Sequence, residues 1–473
     1  MPDTAPSGSS TSLQAASAER RVLRGDVLDF TDDPGFFTPP AGRKGVRHRP
    51  DHLVLIEGER IAAVQPASEP LPAGWEGAER LDHTGRLILP GFIDTHVHCP
   101  QLDVIASFGT ELLDWLDTYT FPAERRYADP AVAEQGAERF LHALWAHGTT
   151  SAVVFPTVHK VSAEALFHQA GRARMRLLTG KVLMDRHAPE GLLDDVVQAE
   201  RDCVDLIERF HGRDRQSFAV TVRFAPCSTP EQLVMAGRLC QAYPDVYMQT
   251  HVAENRDEVR WVAQLFPDAR SYLDVYDRVG LIHARSVLAH GIWLDHQDRK
   301  VLRDHGAQIA HSPSSNLFLG SGLFNWVQAE DDGVNVSLAT DVGGGTSLSM
   351  VRTIADAYKI QALQGNRLTA WKALYTATAG AAQHLGLQDE IGRVEPGLHA
   401  DLAVWDIASG AVALHRDTIA QGRLAQDLHE RVFAWLTLGD ERNLAATLVA
   451  GRPVYQRPAL QTAALEQQSS MAI

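Results

Sequence analysis

The chain has 473 residues, 45% hydrophobic and 22% charged, with a formal net charge of -15. That length allows a large core and more than one domain, and the acidic balance argues against nucleic acid or an anionic membrane surface as a partner. No run of about 18 apolar residues is present, so no transmembrane helix is expected.

The first segment, 1–20, is Ser/Ala/Pro-rich without the basic-then-apolar order of a secretory signal, and reads as a disordered tail. Residues 21–89 read as short strands and turns; LVLIEGERIAAV (53–64) is a hairpin signal. The insert FTDDPGFFTPPAGRKGVRHRP (30–50) is Pro/Gly-rich and reads as a surface loop.

From about 90 to 389, apolar strand-like runs alternate with helical stretches. The runs are 87–98, 149–156, 177–185, 218–226, 246–254, 286–291, 307–316 and 334–341. Between them lie segments such as ENRDEVRWVAQLF, with Val259, Val262, Leu265 and Phe266 on one face. Eight such units predict an α/β fold, a (β/α)8 TIM-type barrel, over 90–389. A doubly wound sheet is the other candidate, but no Gly-rich phosphate loop follows the first strand. Residues 390–457 return to strand style, and 458–473 read as a C-terminal tail.

In a barrel the chemistry gathers at the C-terminal strand ends. The first run ends in DTHVHCPQ (94–101), where the i, i+2 spacing puts His96 and His98 on one face. The fifth run ends in His251, the sixth in His290 and the eighth in Asp341. Imidazoles and a carboxylate at one mouth make a nitrogen/oxygen metal site suited to zinc or iron. A two-metal version needs a bridging ligand near strand 4. Arg223 stands there and cannot ligate, so one metal ion is expected. Glu254 reads both as an acid in the first turn of a helix and as a proton carrier.

By position alone Arg223 is equally a rim ion pair, and Gln101 a loop hydrogen bond. Trp115, Tyr119 and Phe121 read as a hydrophobic cluster under a loop. The GGG run (343–345) reads as a turn allowing close backbone approach. Cys99, Cys203, Cys227 and Cys240 form neither a disulfide framework nor a CxxC pair, which suits a reducing cytoplasm.

PGFIDTHVHCPQ, TFPAERRY (120–127), VRF, THVAENRDEV, HSPSSNLFLGSG (311–322) and LATDVGGGTSLSM (338–350) together resemble the guanine deaminases of the amidohydrolase superfamily. The resemblance runs from about 88 to 360. It implies a small β-sandwich domain built from both chain ends, 21–89 with 390–457, and hydrolysis of guanine to xanthine and ammonia. His96, His98, His251 and Asp341 would bind one zinc ion, with iron as the alternative. His290 would contact the metal or orient the attacking water, and Glu254 would carry a proton to the purine ring. Gln101, Arg223 and Phe224 would hold the base. A cytoplasmic homodimer with a small-molecule substrate is implied as well.

Arg223 offers donors alone, so it suits O6 of guanine and opposes the amine of adenine. Other ring compounds handled by such enzymes (an oxidised guanine, a pterin, a chlorinated triazine) would use the same water. A non-catalytic scaffold predicts missing ligands, and a two-metal ring amidase predicts a bridging residue; neither fits. The P-C-x-x-C element of nucleic-acid base deaminases is also absent, since Pro226-Cys227 continues as Ser-Thr-Pro.

Overall fold

A computed structural model describes residues 19–36, 44–108, 112–423 and 428–458. The tails expected at 1–20 and 458–473 lie almost wholly outside the described residues, as do 37–43 of the insert.

Two sheets organise the chain. The first holds β1 (Arg20–Phe30), β2 (Val46–Glu57), β3 (Arg60–Pro66) and β4 (Glu79–Pro90) from the N-terminal end. The second is the barrel: β5 (Phe92–His98), β6 (Thr149–Phe155), β7 (Arg176–Thr179), β8 (Val182–Leu183), β9 (Gln216–Val222), β10 (Tyr247–Val252), β11 (Ser286–His290), β12 (Gln308–His311) and β13 (Asn335–Leu338). β14 (Leu402–Trp405), β15 (Leu444–Val449) and β16 (Arg452–Gln456) then return to the first sheet, whose order is β16-β15-β14-β4-β1-β2-β3. Ile56 and Ile61 near one edge share an apolar cluster with Leu402 and Leu448 near the other, so this sheet curls around a core of its own.

The barrel strands run parallel in the order β13-β12-β11-β10-β9-β7-β6-β5, with the short β8 beside β9. Every residue of β5, β6 and β9 is buried, as befits strands covered on both faces. Individual bonds join the first strand to the last: Asp341 N–H donates to His96 O at 2.9 Å, and His98 N–H to Val342 O at 2.8 Å. Ile93, Val153, Leu178, Ala219, Tyr247, Val287, Ala310 and Ala339 fill the interior as one layer, closed by Ala381, Ala382 and Leu385 beneath it. With that floor packed solid, open space is left only at the opposite, C-terminal mouth. Helices Val196–Phe210, Pro230–Ala242, Arg256–Leu265 and His296–His305 each start at a polar cap (Asp195, Thr229, Asn255, Asp295) that accepts a backbone N–H.

Four expectations change. Residues 390–457, read as strand style, also carry helices Ala411–Arg423 and Leu428–Leu438 between β14 and β15. The run 87–98 is two strands: its first half completes β4, and the barrel begins at Phe92. Gly91 makes the junction, where a Cβ would lie 2.1 Å from the Thr150 hydroxyl. The run 307–316 stops at His311, and Pro313–Phe318 is helical because Pro at the first turn loses no helical hydrogen bond. The insert is partly sheet, since β2 begins at Val46; Lys372, buried in the barrel wall, donates to Asp33 at 2.6 Å. All four cysteines are free and buried. Among the described residues no helix is long and apolar enough to cross a membrane.

Candidate active site

His96 and His98 project from the same face of β5, with ring centroids 4.8 Å apart and planes nearly perpendicular. His251 stands on β10 and His290 is the last residue of β11, while Asp341 lies three residues beyond β13. His290 (φ 71°), Asp341 (φ 51°) and Ala253 (φ 47°) adopt left-handed backbone conformations that cost a non-glycine residue energy.

The nitrogens crowd one point. His98 Nε2 lies 3.1 Å from His96 Nε2 and 3.2 Å from His251 Nε2. Asp341 Oδ1 is 3.1 Å from His96 Nε2 and 3.3 Å from His98 Nε2, and Oδ2 is 3.7 Å from His290 Nε2. One ligand atom each from His96, His251, His290 and Asp341 falls within 4.8 Å of all the others.

Two imidazoles have their tautomer set. His251 Nδ1–H donates to the Arg223 carbonyl at 2.6 Å, and His290 Nδ1–H to Asn316 Oδ1 at 2.9 Å. Both therefore aim an Nε2 lone pair inward, and His290 Nε2 is buried without a hydrogen-bond partner among the described residues. Lone pairs facing one another at about 3 Å repel unless a cation lies between them. A tetrahedral ion with ligands at roughly 2.0–2.1 Å spaces neighbouring donors by roughly 3.3–3.4 Å. The donor set and its spacing fit such an ion.

Electrostatics agree. Burial holds His98 down to about 3 and His251 well below its usual value, so both are neutral at neutral pH. Burial would raise Asp341, but hydrogen bonding to His96 and the charge there outweigh it and keep the carboxylate well below its usual range.

Glu254 does not sit in the first turn of a helix. The helix begins at Arg256 with Asn255 as cap, and the first-turn acids are Asp257 and Glu258. Glu258 closes a capping box and accepts the Glu254 N–H at 2.9 Å, while Tyr272 donates its hydroxyl to Glu258 at 2.7 Å. Glu254 is thereby held 3.4 Å from His290 Nε2, with the Ser321 hydroxyl donating to its other oxygen at 2.8 Å. Burial, then the charge of Asp341, pushes Glu254 up to about 8.

A cavity opens over this cluster, walled by Gln101, Trp115, Leu116, Arg223, Phe224 and Leu319 and floored by His98, His251, Glu254, His290 and Asp341. Arg223 Nη1 donates to both oxygens of Glu124, at 2.7 and 2.6 Å, and Gln101 Nε2 to the same carboxylate at 3.3 Å. Gln101 Oε1 accepts the Gly343 N–H at 3.1 Å. The GGG run brings backbone against the site, since a Cβ on Gly343 would meet Gln101 O at 2.6 Å. Trp115, Phe121 and partly buried Tyr119 form the cluster expected under the loop, and Trp115 also faces the cavity.

All nine residues singled out in the sequence thus border one space or its metal cluster. Glu124, Asn316 and Ser321 were not among them. Each lies in a stretch, TFPAERRY or HSPSSNLFLGSG, that is distinctive in the sequence although no local rule gives its residues a role. Asp94, beside the first histidine pair, acts from behind the cluster. It accepts from the Thr340 hydroxyl and N–H, pinning the loop that carries Asp341.

Residues 87–454 match the Amidohydrolase family. The chain is 45% identical over 446 residues to a guanine deaminase of Escherichia coli (strain K12), covering 92% of this chain and 98% of that one. Its fold superposes on a crystal structure of guanine deaminase from Bradyrhizobium japonicum with a TM-score of 0.88 and 34% identity, covering 93% of this chain and 100% of that one. A guanine deaminase from C. acetobutylicum with guanine bound in its active site gives a TM-score of 0.79 at 26% identity, over 92% of this chain and 100% of the other.

Proposed function

The chain belongs to the amidohydrolase family, and we propose that it hydrolyses guanine to xanthine and ammonia. The observation that carries the reading is the meeting, in one cavity, of the His/Asp cluster, a buried carboxyl at 3.4 Å from it, and the paired donors of Gln101 and Arg223.

His96, His98, His251 and Asp341 would hold one ion, with His290 beside it, zinc by preference for neutral imidazoles with a carboxylate, and iron as the alternative. Such an ion, when bound, supplies a nucleophilic water near neutral pH. Asp341 would accept a proton from the attacking water as C2 of the base is presented to it. Arg223 donates to O6, Gln101 fixes the polar edge beside it, and Phe224 packs against the ring. Glu254 gives its proton to the ring nitrogen next to C2, so that negative charge does not build there. The new C–O bond forms, Asp341 passes the water's proton to the amine, the C–N bond breaks, ammonia leaves, and the remaining hydroxyl proton goes to Glu254 as C2 becomes a carbonyl. His290 lies between Glu254 and Asp341 and orients the water. Positioned proton transfer of this kind contributes about 10²–10⁴-fold.

A free base fits the net charge of -15 better than a base within nucleic acid. A homodimer and a cytoplasmic setting complete the reading on the strength of the family; light scattering and cell fractionation test them. The reaction itself is tested by turnover in heavy-oxygen water. Xanthine carrying one heavy oxygen, with one ammonia per xanthine, is expected; no xanthine, or xanthine without label, overturns the reading.

A further inference from the structure

We propose that Glu124 is a positioning residue that neutralises Arg223, so that the pocket selects an uncharged purine and rejects an anionic one. The inference rests on a purine base as the ligand and adds how its charge is read.

Glu124 is fully buried, and Arg223 is 3% and Gln101 2% exposed. Helix Phe121–Arg125 carries the carboxylate to a place behind the cavity wall, where it does not border the space itself. Both of its oxygens take Arg223 Nη1, and one also takes the Gln101 amide. The Phe121 ring lies 5.2 Å from the guanidinium carbon and shields the pair from water. Among the described residues no hydrogen bond engages Arg223 Nε or Nη2, which leaves donors for the cavity. A guanidinium cannot lose its proton. Alone in this wall it would be a desolvated cation and would draw in an anion; with Glu124 behind it, it presents donor geometry with its charge cancelled. The remaining charged and titratable groups around the cavity are Glu254, Glu258, Asp341, His98, His251 and His290; burial pushes Glu254 up to about 8, so it faces the ligand as a neutral carboxyl, while Asp341 stays a carboxylate and disfavours an anion. The single link to Gln101 sets both donors in one register.

The test is equilibrium binding of two purines at neutral pH, uncharged hypoxanthine and anionic urate, to the metal-loaded protein. Binding is read directly, so the result stands whether or not guanine turns over, and guanine turnover is scored separately. The wild type is expected to bind hypoxanthine more tightly than urate. Glu124→Gln should shift that preference toward urate by about tenfold or more, and Glu124→Asp, which keeps the charge, should restore it. A Glu124→Gln protein that weakens both ligands equally would overturn the inference. Should that variant not fold, the wild type still decides: urate binding as well as hypoxanthine shows a pocket whose positive charge is not cancelled.

Discussion

Asn316 Oδ1 accepts the Nδ1 hydrogen of His290 at 2.9 Å, and this one bond decides which nitrogen His290 turns toward the cluster. Without it the ring is free to rotate or to take the other tautomer. Partners of this kind typically change metal affinity or activity about 10–100-fold when removed. Asn316→Ala should lower kcat/KM for guanine by that range while the fold, followed by circular dichroism, is kept. Asn316→Asp, which still accepts from Nδ1, should retain more activity than Asn316→Ala.

Arg223 borders the cavity and is buried against Glu124. Arg223→Met should cut guanine turnover by at least about a hundredfold while metal content by elemental analysis stays at the wild-type level, two hydrogen bonds to a charged group being worth about 1.5–3 kcal/mol each. The variant should also lose about 3–5 kcal/mol of stability, because Glu124 is left as an uncompensated buried charge. Adding Glu124→Gln to Arg223→Met should recover much of that stability and none of the turnover. Equal loss of metal and activity would remove Arg223 from substrate recognition.

The Glu254 carboxyl faces His290 and Ser321. Glu254→Gln keeps size and polarity but cannot donate and take back a proton. Its kcat should fall about 10²–10⁴-fold with little change in the KM for guanine. Ser321→Ala should give a smaller fall in the same direction. A Glu254→Gln enzyme with unchanged kcat would exclude Glu254 as the proton carrier.

His311 is fully buried with neither ring nitrogen hydrogen-bonded among the described residues, its ring against Phe324 and Trp326. Burial holds it down to about 3, from an ordinary value of 6.5. The folded state therefore keeps His311 neutral where the unfolded chain takes up a proton. Its contribution is complete above pH 6.5 and is lost as the pH falls toward 3. Between pH 7.5 and pH 5 the loss comes to about 2 kcal/mol. Denaturant unfolding at those two values should show His311→Leu losing that much less stability than the wild type. Metal loss weakens both proteins alike, so the difference isolates His311.

The metal cluster was legible because its members sit where apolar runs stop: His96 and His98 share a face by the two-residue strand period, and His251 and His290 end their own runs. Pairings across long separations were not. Glu124 meets Arg223 across 99 residues and Asn316 meets His290 across 26, and both meetings exist only once the barrel has closed. Local rules also failed where one apolar run serves two sheets. LILPGFIDTHVH is continuous in hydrophobicity, and its hand-over at Gly91 is set by the close approach of Thr150. The SPSSN stretch lacks helical periodicity because it is too short to display one, and Pro313 at its first turn was the one signal present. The curl of the end sheet depends on packing Ile56 against strands nearly 400 positions away.

The central claim is that one metal-dependent pocket deaminates guanine and discriminates against other bases. The measurement that tests it most directly is ammonia release from guanine, adenine and cytosine by the purified protein, before chelation, after it, and after zinc is restored. Release from guanine alone, abolished by the chelator and returned by zinc, is the predicted result. Ammonia release from guanine that survives full removal of metal would contradict the role of the His/Asp cluster, and no release from metal-loaded protein would remove guanine as the substrate.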